Sequence, residues 1–158
     1  TMNNVAMEVE SDPTYRQIID SSRAGRKETV ADAIVSAARE IAETTQIKAI
    51  CCFSESGTTA LLTARERPHV PIIALTSRVG TARRLALSWG MHCVTVSDVD
   101  RFKMAVVNAI RVARSDGFAS EADQIVVTAG IPFNRPGSTN ILRVAHCDER
   151  LIFSSDPE

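Results

Sequence analysis

The chain has 158 residues, 44% of them hydrophobic, which is enough for one domain with a real core. Its 18 basic and 19 acidic residues leave a net charge of -1, so no polyanion is held by bulk charge and nucleic acid is excluded as a partner. No apolar run approaches the roughly 20 residues that cross a bilayer, and residues 2–10 are too polar and acidic for a signal peptide, so no membrane partner is expected and a cytoplasmic setting is.

Residues 1–12 place Met2, Val5, Ala6 and Val9 at helical spacing. Asp12-Pro13 closes that segment or opens the next. Residues 14–23 are weakly patterned, and 24–28 read as a linker. Residues 1–28 are therefore expected to be the end of a preceding domain and its linker, with the domain proper at 29–147 and a tail at 148–158. Thr29–Thr45 is the strongest helix, with Val30, Ala33, Ile34, Ala37, Ala38, Ile41 and Ala42 as its inward stripe and Thr29 as its N-cap.

Ala49–Phe53 reads as the first strand. It runs into a hydroxyl-rich turn, Ser54-Glu55-Ser56-Gly57, and a helix over 58–65 stopped by Pro68. A small polar turn between strand and helix is an anion cradle, because the first helical turn has unpartnered N–H groups and the positive end of the macrodipole. The pattern is equally that of an ordinary, well-capped connection. Pro71–Thr76 is a second strand, continuously apolar as in a sheet covered on both faces. A helix over 80–89 follows, with Leu85, Ala86 and Trp89 inward and Gly90 as its stop. Cys93–Val96 is the third strand. A helix over 99–115 turns Phe102, Val106, Ala109, Ile110 and Ala113 inward, with Asp98 and Asp100 as N-cap and dipole partners rather than metal ligands. Gln124–Ala129 is the fourth strand. A Gly/Pro loop over 130–140 leads to a fifth strand, Ile141–Ala145, expected to be antiparallel.

Alternating strands and helices predict an α/β fold: three layers, a five-stranded mostly parallel sheet with the last strand antiparallel, and helices on both faces. In such sheets ligands bind beyond the carboxyl ends of the strands. The 54–59 turn, Ser77 and Arg78, and the 130–140 loop should therefore meet at one rim. The four cysteines, Cys51, Cys52, Cys93 and Cys147, have no CxxC or Cys/His spacing, so structural zinc is not expected and buried free thiols are. Adjacent Cys51 and Cys52 should face opposite sides of the sheet. Arg83 and Arg84 read as solvated helix residues or subunit contacts. His69, His92 and His146 have no obvious partner in sequence.

The segments SESGTTA, ARERPHVPIIALTS, TARRLALSWG, the DVD before a helix, and VVTAGIPFNRPGSTNILRV together resemble the C-terminal domain of pyruvate kinases, bacterial type, in register from about Thr29 to Val144. The opening MNNVAMEVESDPTY resembles that family's last barrel helix. The resemblance implies a regulatory and subunit-contact domain of a glycolytic phosphotransferase that converts phosphoenolpyruvate and ADP to pyruvate and ATP. In that family the catalytic groups, Mg2+ and K+ belong to a barrel domain whose motifs are not among these residues. The resemblance thus implies no catalytic residue, no metal site and no cofactor here, and a polypeptide that is inactive alone.

It also implies an effector site. Ser54, Ser56, Gly57, Thr58 and Thr59 match the phosphate ligands, and Arg135, Pro136, Gly137, Ser138 and Thr139 match a loop that covers the sugar. Members activated by fructose 1,6-bisphosphate have a lysine at the position of Glu55 and an arginine at that of Thr58. An inward acid would repel a second phosphate, so the expected effector is a sugar monophosphate or AMP. Homo-oligomers are expected, a dimer of this domain within a tetramer. The alternative is a free-standing phosphosugar- or nucleotide-binding module. A Rossmann oxidoreductase is excluded, because no GxGxxG follows the first strand.

Overall fold

The protein is described by a computed structural model over residues 1–22, 29–133, 135 and 138–153. The expected linker at 24–28, Pro136 and Gly137 of the covering loop, and the end of the tail at 154–158 lie outside the described residues. Two helices lead the chain, α1 (Met2–Ser11) and α2 (Pro13–Ser21). Then come α3 (Val30–Thr44), β1 (Ile50–Phe53), α4 (Thr58–Arg65), β2 (Ile72–Thr76), α5 (Val79–Leu85), β3 (Met91–Thr95), α6 (Phe102–Ser115), β4 (Gln124–Gly130), β5 (Thr139–His146) and α7 (Glu149–Phe153).

The five strands form one sheet in the order β3-β2-β1-β4-β5. Strands β1 to β4 are parallel, and β5 runs antiparallel to β4, as the short connection requires. The inner strands β1 and β2 are covered throughout, and β4 all but its ends, because their side chains alternate between two cores, whereas the edge strands β3 and β5 stay partly open. Cys51, Phe53, Ile73, Leu75, Ile125 and Val127 point to the face covered by α6 and α7. Ile50, Cys52, Ile72, Ala74 and Val126 point to the face covered by α3, α4 and α5. The adjacent cysteines divide between the two faces, as a period of two demands. Both are fully buried and reduced.

Several helical expectations need correction. Residues 14–21, read as weakly patterned, lie in α2, whose start is fixed by Asp12 accepting the Thr14 N–H at 2.7 Å and by Pro13 in the first turn. On α3 the buried stripe is Ala31, Val35, Ala38 and Ala42, about one residue round from the expected one, and Val30, Ala33 and Ala37 are exposed. An alanine-rich helix has two nearly equivalent apolar stripes. The choice is made by Asp32 and Arg39, which must turn inward to reach Arg65 at 2.5 Å and Asp20 at 2.8 Å. Helix α5 ends at Leu85, before the expected stop. Ala86 is exposed, and Trp89 is half-buried, packed against the α3–α4–α5 core while also lining a surface cleft. Asp98 and Asp100 cap nothing: α6 begins at Phe102 with Arg101 at the N-cap position, which leaves both carboxylates outside the one position from which a side chain reaches the N2 and N3 amides. In the tail, α7 packs Ile152 into the α6 core. Arg111 holds Glu149 through two bonds of 3.0 and 2.9 Å.

Candidate functional site

At the carboxyl ends of β1 and β2 the chain builds a rigid turn. Phe53 ends β1, and Ser54 donates its N–H to Leu75 O at 3.1 Å, which carries the turn along the edge of β2. Glu55 is the main tie. Its carboxylate accepts from Ser77 N (3.3 Å), Ser77 Oγ (2.9 Å) and Arg78 Nε (2.9 Å), and its carbonyl accepts from Thr81 Oγ1 at 2.9 Å. The Ser56 carbonyl accepts from Arg84 Nη2. Gly57 stands at the N-cap of α4 with φ 84. A methyl added there would lie 3.1 Å from Leu85 Cδ2, so both the backbone angle and the packing call for glycine. Ser56 Oγ and Thr58 Oγ1 are 2.9 Å apart.

The second wall comes from the far end of β4. The register shifts between Ala129 and Gly130, and Gly130 lies against Ser138 so closely that a Cβ would sit 2.3 Å from Ser138 Oγ and 2.8 Å from its carbonyl carbon. Asn140 braces the loop, its side chain accepting from Ile131 N at 2.9 Å and donating to Ile131 O at 2.7 Å. Ser138 Oγ donates to Arg135 O at 2.7 Å. The two walls meet where Thr59 Oγ1 and Thr139 Oγ1 share a hydrogen bond of 2.5 Å, both side chains buried.

Between the walls is a cleft of about 50 Å³, open to solvent on one side. Ser54, Ser56 and Thr59 line it from the turn, and Arg135, Ser138 and Thr139 from the loop, so the structure brings together the two groups that the sequence placed at one rim. Gly57 and Thr58 shape the start of α4 beside it. Phe53, Leu75, Val96, Val99 and Phe133 give an apolar floor, and Ser97 and Asp98 close the third side. Those last residues, and the clamps from Thr81 and Arg84, were not legible as site residues. Nothing in their local pattern marks them; only the crossover from β2 through α5 to β3 brings them here. The arrangement offers hydroxyls, a helix start and one guanidinium to a small anion, with an apolar surface for whatever carries it. Among the described residues no group of three or more His, Cys, Asp or Glu side chains is placed to hold a metal ion. Also among them, no helix is long and apolar enough to cross a membrane.

The family model for the pyruvate kinase alpha/beta domain matches residues 32–145. A pyruvate kinase of Methylorubrum extorquens is 38% identical over 145 residues, covering 92% of this chain and 30% of its own length. One from Geobacillus stearothermophilus is 33% identical over 144 residues, 91% of this chain and 24% of its own length. Among solved structures, Cryptosporidium parvum pyruvate kinase in complex with ADP superposes with a TM-score of 0.74 at 27% identity, over 85% of this chain and 27% of that one. The chain thus spans under a third of the length of these relatives.

Proposed function

This chain belongs to the pyruvate kinase family through its α/β domain, and from that premise we propose that it is a regulatory and subunit-contact domain whose rim cleft binds a phosphorylated effector. The observation that carries the reading is the convergence of the 54–59 turn and the loop after β4 on one cleft, locked by the Thr59–Thr139 bond. Ser54, Ser56, Gly57, Thr58 and Thr59 hold the phosphate, with the amides at the start of α4 adding to the hydroxyls. Arg135, Ser138 and Thr139 cover the remainder, in the loop that also contains Pro136 and Gly137.

Glu55 supports a monophosphate over a bisphosphate. Glu55 is among the residues lining the cleft, and its carboxylate is already matched by Ser77 and Arg78. A second phosphate would have to displace that pairing or stand beside it. Ribose 5-phosphate, glucose 6-phosphate and AMP are the compounds to test. Phosphoryl transfer from phosphoenolpyruvate to ADP is proposed for the whole enzyme, in the cytoplasm and with Mg2+ and K+ in its barrel. This chain supplies no residue to that step.

Subunit contact is proposed for the β5 side. β5 is an edge strand with Val144 exposed, and α3 beside it carries the exposed stripe of Val30, Ala33 and Ala37. Two copies pairing here would form an isologous contact.

Calorimetric titration tests the effector reading. A monophosphate should bind more tightly than fructose 1,6-bisphosphate, and Ser56→Ala should weaken it about tenfold or more, the value of a hydrogen bond to a charged group. Tightest binding by the bisphosphate, or an unaffected Ser56→Ala, would overturn it. ATP formation from phosphoenolpyruvate by the purified chain would refute its proposed inertness. For the contact, Val144→Lys should shift the mass in sedimentation toward monomer.

A further inference from the structure

At the opposite end of the sheet, where β2 and β3 begin, a second and larger cleft of about 620 Å³ separates the α1–α2 arm from the body. We infer that this cleft is a binding site for a small aromatic anion, with Arg67 receiving the charge and the rings of Trp89, Tyr15 and Phe118 receiving the ring.

The side chains still free to bond decide how a ligand is held in the cleft. The Glu10 carboxylate accepts from the Trp89 indole N–H at 2.6 Å, a neutral donor that fixes its position and leaves its charge in place. Arg16 is spent on Glu43 at 3.3 Å and on the Arg67 carbonyl at 2.5 Å. His69 lies 3.4 Å from Glu43, and His92 lies 2.7 Å from Asp116. Arg67 remains. Its guanidinium lies over the Trp89 ring at 4.5 Å, and among the described residues it has no carboxylate partner. A guanidinium stacked on an aromatic face keeps the N–H groups of its edge free, and these match a carboxylate or phosphate in two parallel bonds.

The end of α4 fixes where the Arg67 backbone sits. Arg67 follows the C-cap Glu66 and has φ 51, the left-handed conformation in which helices commonly end, directly before Pro68. Arg16 donates to its carbonyl at 2.5 Å. The lining rings explain why a bare anion is not enough. Tyr15, Trp89 and Phe118 are half-buried, with the His92 and Phe118 rings packed at 4.9 Å, and flat apolar surface of this kind is best covered by another ring. The site lies at the rim opposite the proposed effector cleft and does not depend on that reading.

Trp89 is the only tryptophan in the chain, so its emission reports on this cleft. The test is fluorescence titration of the full chain with benzoate and phenyl phosphate, with benzyl alcohol as the neutral ring and inorganic phosphate as the bare anion. Saturation-transfer NMR of the probe gives a second readout that does not depend on Trp89. Benzoate or phenyl phosphate should saturate below about 10 mM, the range of a weak small-molecule site. Benzyl alcohol and inorganic phosphate should be weaker by about tenfold or more, and Arg67→Gln should weaken benzoate by a similar factor. Arg67→Lys should retain part of the affinity. Tyr15→Ser, on the arm and outside both cores, should weaken ring-bearing probes and serves if Arg67→Gln does not fold. No saturable signal, equal affinity for benzyl alcohol and benzoate, or unchanged affinity in Arg67→Gln would each overturn the assignment.

Discussion

Replacing Gly130 by alanine tests how the rim is assembled. The added methyl would lie 2.3 Å from Ser138 Oγ and 2.8 Å from both the carbonyl carbon and oxygen of Ser138. Ordinary contacts between heavy atoms sit at about 3.5–4.0 Å. The hydroxyl can rotate away, but the carbonyl cannot, so β4 and the start of β5 must part by roughly 1 Å. Overpacking of this kind costs about 1–3 kcal/mol. For a chain of this size each kcal/mol moves the melting temperature by about 2–4 °C, so Gly130→Ala should melt roughly 2–12 °C lower in a circular-dichroism scan. The same movement pulls Thr139 from Thr59, so a monophosphate should also bind less tightly. Gly80→Ala is the control. It lies in α5 with nothing within 4 Å of the added Cβ, and should leave stability unchanged or raise it by up to about 1 kcal/mol. A Gly130→Ala protein that melts within a degree of the parent would show that the strands are not in close contact here.

Ile152→Ala removes the side chain by which α7 enters the α6 core, and should lower stability in urea by about 2 kcal/mol or more; a change under about 0.5 kcal/mol would mean that α7 is not docked. Four aspartates are held below the ordinary carboxylate range: Asp12 by the Thr14 N–H, Asp116 by the His92 ring, Asp123 by the Ser120 hydroxyl and Asp148 by Arg150. A depressed folded-state pKa contributes stability above the unfolded value of about 3.9 and loses it as pH falls through the folded value. The melting temperature should therefore drop below about pH 4, and Asp116→Asn should flatten that drop; a profile level down to pH 2.5 would contradict it. Burial pushes the Cys51 and Cys52 thiols up and raises Cys147 to about 11, whereas Cys93 is raised but partly exposed. Ellman's reagent at pH 8 should label Cys93 first and the other three only after unfolding, and equal rates for all four would refute the burial pattern.

Much of this protein is local, and what is local could be read from the chain. The bounds of α4 at Thr58–Arg65 follow from Gly57 before it and Pro68 after it, and the antiparallel β5 follows from a connection with no helical period. The division of Cys51 and Cys52 between two cores needs only the alternation of a strand. The meeting of the 54–59 turn with the loop after β4 follows from the rule that puts ligands beyond the carboxyl ends of parallel strands.

Tertiary structure decided what depends on a choice among equals or on distant partners. Two apolar stripes on α3 were equally good by period, and long-range ion pairs through Asp32 and Arg39 selected one of them. Trp89 packs against a core as its size suggests, but Arg67, 22 positions earlier in the chain, and Glu10, 79 positions earlier, meet it at a surface cleft that no local pattern marks. Glu55 is a bare acid in a hydroxyl-rich turn until Ser77, Arg78 and the crossover through α5 arrive to match it. Periodicity is a property of one segment, whereas the pairing of charges is a property of the folded whole.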